Sequence, residues 1–128
     1  MNRSSLEEIK IPILYENSKL YAPVNAKFFN SIGYLMQPNG VSFEKFFPIG
    51  ESLQFLTDDG IVLQGEVPIG KSRRLYFHRE IYDYIFSRLN ISENKPLVWE
   101  QLLNYGRTDI VVYKEDNKNY LLDFHQPK

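Results

Sequence analysis

Residues 51 to 67, ESLQFLTDDGIVLQGEV, constrain the fold of this chain more than any other stretch. Leu53 and Phe55 alternate with Ser52, Gln54 and Thr57, the period of a strand with one buried face. Asp58-Asp59-Gly60 is a turn signal, and Ile61 to Val67 returns as the partner strand of a hairpin. Gly65 falls inside that return strand, where a bulge is the usual reason for a glycine.

Around this hairpin the chain reads as strands more often than helices. Ile9 to Leu14 is a first strand, with Pro12 marking an edge position or a bulge. The segment from Asn17 to Gly40 is rich in turn residues and suggests a short helix over Asn25 to Ile32. Asn39-Gly40 is a turn, and VSFEKFF after it nearly alternates, as a strand would. In KSRRLYFHREIYDYIFSRLN a strand runs through Leu75 and Phe77, and Tyr82, Ile85, Phe86 and Leu89 then repeat at helical spacing, with the change near His78. A second helix over Pro96 to Asn104 is capped by Ser92 or Asn94 and ended by Gly106, with Trp99, Leu102 and Leu103 facing the core. Thr108 to Lys114 and Asn119 to Phe124 form a closing hairpin about the turn Glu115 to Lys118.

At 128 residues, 43% of them hydrophobic and 15% aromatic, the chain can bury one good core, so residues 1–128 read as a single domain. Fifteen Lys and Arg against sixteen Asp and Glu leave a net charge of -1, so affinity for a polyanion must come from a local patch. The absence of cysteine excludes disulfides, zinc-thiolate sites and thiol chemistry. No apolar run approaches the roughly 18 residues of a membrane span, and MNRSSLEEIK lacks the apolar centre of a signal peptide. The expectation is a soluble cytoplasmic protein.

GEVPIGKS, residues 65 to 72, satisfies the phosphate-loop pattern GxxxxGK[ST]. A working loop of that kind needs a buried parallel strand before it and a helix after it, so that backbone N–H groups and the helix N-terminus meet the phosphates. Here the preceding strand is one arm of an antiparallel hairpin and RRLYF after Ser72 is β-like, so a small nucleotide-binding protein is the least favoured reading.

The same segment carries charge. Lys71, Arg73, Arg74 and Arg79 bring a local +4 with no acid between them, interleaved with Ser72, Tyr76, Phe77 and His78. In a strand Arg74 and Tyr76 share one face and Arg73 and Leu75 the other, which suits one arginine to phosphate or to guanine edges. The early loop is a second acid-free surface, with Lys19, Asn25, Lys27 and Asn30 able to meet phosphate and adenine. Catalytic groupings are sparse: His78 and His125 are the only histidines, no serine lies in a GxSxG elbow, and the acidic pairs fall in turns. No cofactor, metal or catalytic residue is expected.

The order of strand, Asn- and Lys-bearing loop, hairpin FLTDDGIVLQGEV, basic segment KSRRLYFHREI with its helix, and closing hairpin resembles the B3-like DNA-binding pseudobarrel. It is similar to the N-terminal DNA-recognition domain of LlaJI-type, McrB-related restriction endonuclease subunits, in which a GTPase domain follows on the same chain. The resemblance implies a mixed, β-dominated fold: an open β-pseudobarrel of about seven strands with two short helices. It also implies site-specific, non-catalytic binding of double-stranded DNA, with other restriction subunits as partners. The two arms gripping the major groove are then the loop with Lys19, Asn25, Lys27 and Asn30 and the segment with Lys71, Ser72, Arg73 and Arg74, supported by Tyr76 and Arg79. The alternative is a protein-interaction or inhibitor module anchored by Tyr15, Tyr21, Phe28, Phe29 and Tyr34.

Overall fold

A computed structural model describes residues 5–13, 18–20, 31–89 and 98–125. The fold is β-dominated. Among the described residues the strands are β1 (Glu7–Pro12), β2 (Lys19–Leu20), β3 (Ser31–Met36), β4 (Leu53–Thr57), β5 (Val62–Glu66), β6 (Arg74–His78), β7 (Asp109–Lys114) and β8 (Asn119–His125). They form one sheet in the order β1-β7-β8-β4-β5-β6-β3-β2, curled into a half-barrel. Three short helices, α1 (Phe43–Phe46), α2 (Glu80–Arg88) and α3 (Val98–Asn104), complete it. The expected open β-pseudobarrel with short helices is thus the architecture found, with an eighth, two-residue strand and a third helix added.

Every neighbouring pair is antiparallel except β4 and β8, which run parallel from Gln54 opposite Asn119 to Thr57 opposite Leu122. That pairing joins the first hairpin, β4–β5, to the closing hairpin, β7–β8. It puts Phe55 beside Tyr120, whose rings stack with centroids 5.4 Å apart. Phe47 packs against Tyr120 at 5.0 Å and Phe77 against Phe55 at 5.4 Å, making an aromatic centre to the core. Strand alternation supplies the rest of it: Leu53, Phe55 and Thr57 on β4, Leu63 on β5, and Leu75 and Phe77 on β6 are buried, and their neighbours face outward. α2 packs over β5 and β6 with Ile81 and Ile85 buried.

Several elements depart from expectation for local reasons. VSFEKFF is one helical turn and not a strand: the Ser42 hydroxyl accepts from the Lys45 N–H, and Phe43, Phe46 and Phe47, at helical spacing, are all buried. The helix expected to reach Ile32 gives way to β3 from Ser31 onward, and its remaining residues lie outside the described ones. β1 starts earlier than expected and is an edge strand, which accommodates Pro12 at its end. α3 ends as foreseen. The Gly106 N–H donates to the Leu103 carbonyl and the Arg107 N–H to that of Leu102, a Schellman closure. Trp99 and Leu102 are buried, but Leu103 is 40% exposed, and Gln101 takes the inward position.

Gly65 is required by crowding. A Cβ there would stand 2.5 Å from the Tyr76 carbonyl oxygen and 3.1 Å from Cε2 of Phe55. β5 pairs in regular register with β4 through this residue, and the register shift in the sheet falls instead in β3, between Ser31 and Gly33.

Candidate nucleic-acid interface

The segment matching the phosphate-loop pattern is the connection between two antiparallel strands, β5 and β6. It consists of two successive turns. The Lys71 N–H donates to the Pro68 carbonyl at 3.1 Å, with Gly70 at φ 82°, the positive value a type II turn needs at that place. The Arg74 N–H then donates to the Lys71 carbonyl at 3.1 Å, and β6 begins at once. No helix follows before Glu80, so the segment lacks the N-terminal N–H groups that would cradle a nucleotide phosphate.

What the turns deliver is a row of side chains on the outward face of the sheet. The backbone register sets Lys19 of β2 opposite Tyr34 of β3, Tyr34 opposite Tyr76 of β6, and Tyr76 opposite Glu66 of β5. The Tyr34 and Tyr76 rings tilt toward each other with centroids 5.0 Å apart. Arg74 lies over this pair: its Cζ is 4.4 Å from the Tyr34 centroid and its Nη1 donates to the Tyr76 hydroxyl at 3.1 Å. Lys71 reaches back from the turn to place Nζ 6.0 Å from the Tyr76 centroid. The hydrogen bond to Tyr76 raises the proton affinity of the Arg74 guanidinium above its ordinary value, against the partial burial that lowers it.

The scaffold beneath these side chains is pinned from several directions. The Tyr34 carbonyl accepts from Nε1 of the buried Trp99 at 3.3 Å. The Met36 N–H donates to the Ser18 hydroxyl at 2.8 Å, and the Gln37 N–H to the Arg73 carbonyl at 2.8 Å. Oε1 of Gln37 accepts from the Phe43 N–H at 2.9 Å, tying the end of β3 to α1.

Of the residues expected from the sequence to bind DNA, Lys19, Lys71, Arg74 and Tyr76 are brought together on this face. Arg73 is exposed in the second turn and Ser72 is half-buried beside it. Arg79 is exposed just past the other end of β6, where it stands in helical conformation at the start of α2. Asn25, Lys27 and Asn30 lie outside the described residues. β3 begins at Ser31, which pairs with His78 at the Arg79 end of β6. Tyr34 belongs to the site although it was expected only as an anchor of the protein-interaction alternative. Its signal was cross-strand pairing with Tyr76, which a sequence does not display. The other four aromatic residues of that alternative lie outside the described residues.

Among the described residues no group of three His, Asp or Glu side chains converges as a metal site requires, and no helix is long and apolar enough to cross a membrane. No protein-family model matches the chain and no curated protein matches it, so the site is read from its own geometry.

Proposed function

We propose that this protein is a site-specific duplex-DNA-binding module with no chemistry of its own, serving as the recognition part of a restriction or defence assembly. The observation that carries the reading is the cluster on the outward face of the sheet: Lys71 and Arg74 against the paired rings of Tyr34 and Tyr76, with Lys19 next to Tyr34 in the register. Cations beside an aromatic face suit phosphate oxygens along a duplex backbone, while a neighbouring arginine can reach base edges. Lys19, Lys27, Lys71 and Arg79 hold phosphates, Arg73 or Arg74 reads guanine, and Asn25 or Asn30 reads adenine or touches the backbone.

Selection of bound fragments from a randomised duplex pool at about 50 and about 200 mM salt tests this, since phosphate contacts weaken steeply over that range. An enriched sequence with steep salt dependence is the expected result. Absence of enrichment at either salt discards the reading.

A further inference from the structure

We infer that Arg74, and not Arg73, is the base-reading side chain, and that Tyr34 and Tyr76 are the positioning residues that hold its guanidinium ready for a guanine edge. The inference rests on the duplex-binding reading and deepens it.

The two arginines are adjacent in sequence but differ in physical state. Arg73 is exposed in a turn, where a long flexible side chain must lose its rotamer freedom on binding. Arg74 has already lost much of that freedom. Its Cζ lies over the Tyr34 ring, 4.4 Å from the centroid, and its Nη1 donates to the Tyr76 hydroxyl at 3.1 Å. A guanidinium carries five N–H donors in a fixed fork, so one bond to Tyr76 leaves the fork able to meet two acceptors side by side, as guanine O6 and N7 are. Tyr34 can set that plane because its own position is fixed: its carbonyl is bound by Trp99, and its strand is held between β2 and β6. Tyr76 is fixed in turn by the close approach of Gly65 to its carbonyl. A lysine at position 74 would keep the charge and lose both the stacking plane and the fork.

The chemistry divides accordingly. Arg73, Lys71 and Lys19 contribute charge without sequence preference, and the Arg74-Tyr34-Tyr76 unit contributes preference for guanine at one position.

The test compares the unmodified protein with Tyr34→Phe, Tyr34→Leu, Arg74→Lys and Arg73→Ala in the same duplex selection. It then repeats binding on the selected duplex with 7-deazaguanine at the preferred position, which removes the N7 acceptor. The unmodified protein, Tyr34→Phe and Arg73→Ala should keep a guanine preference of about tenfold or more at that position, and the preference should weaken on 7-deazaguanine, where O6 alone remains. Tyr34→Leu and Arg74→Lys should lose the preference while retaining binding to unselected duplex. Arg74→Lys keeps the test decisive if Tyr34→Leu fails to fold. A guanine preference that survives Arg74→Lys, or that disappears with Arg73→Ala, overturns the inference while leaving duplex binding in place. An unmodified protein that binds no duplex removes both.

Discussion

Arg74 and Tyr34 sit on neighbouring antiparallel strands with the guanidinium carbon 4.4 Å from the ring centroid, and this contact joins the basic turn to the aromatic face of the sheet. Two predictions about binding depend on the charges around it.

Replacing Arg73 and Arg74 together by alanine should lower duplex affinity by more than the about 1 to 3 kcal/mol of a single bidentate contact. Loss of the phosphate neutralised by Arg73 should also flatten the plot of log affinity against log salt by about one. Binding measured by anisotropy across a salt series gives both quantities. Unchanged affinity in the double variant would remove this face from the interface.

Glu66 lies opposite Tyr76 across the β5–β6 pair, on the outward side, and Lys71 Nζ stands 6.0 Å from the same tyrosine ring. A carboxylate there repels phosphate, so Glu66→Gln should strengthen duplex binding by about two- to tenfold at low salt, and the gain should shrink as salt screens it. The same anisotropy series reads this effect. A variant that binds more weakly than the parent would place Glu66 in a contact of its own.

Gly65→Ala should cost about 1 to 3 kcal/mol of stability, because the added methyl can be accommodated only by moving backbone. The crowded atom is the Tyr76 carbonyl oxygen, 2.5 Å from the new Cβ, so the displacement passes directly to the strand that carries Arg74 and Tyr76. Urea unfolding and duplex binding should therefore deteriorate together. An alanine variant of parental stability would mean that β5 and β6 part without cost.

Stability should fall in alkali. Burial, with the charges of Asp59 and Asp58 nearby, pushes the Tyr84 hydroxyl up to about 12 from its ordinary 10. Burial raises Tyr120 as well. A folded-state value above the unfolded one means that the unfolded chain gives up its proton first, so the contribution is whole below pH 10 and is lost as pH rises toward 12. Tyr84 is buried, so its ionisation carries a share of that loss. Urea midpoints between about pH 9 and about pH 12 should decline, and Tyr84→Phe should decline less. A flat profile in the parent would mean that Tyr84 ionises at its ordinary value.

Much of the local structure was legible before any coordinates. The hairpin about Asp58-Asp59-Gly60, the change from strand to helix near His78, the helix closed by Gly106 and the final hairpin all follow from period and turn chemistry. Those are short-range effects, determined within a few residues of where they act. VSFEKFF misled because a four-residue helix and a short strand differ little in pattern, and the Ser42 cap decides between them. Leu103 misled because the inward positions of this short helix are taken by Trp99, Gln101 and Leu102, an arrangement set by what α3 packs against.

By itself the sequence determined that a basic, acid-free segment would lie at a strand end with Arg74 and Tyr76 on one face, since alternation along a strand is a property of the backbone. Only the tertiary structure decided which strands would meet. The parallel pairing of β4 with β8 and the placing of β3 between β6 and β2 join residues far apart in sequence, and no local preference encodes them. They are selected by how completely Phe47, Phe55, Phe77 and Tyr120 can be buried together, which is a property of the whole chain. The stacking of Arg74 on Tyr34 follows from that choice.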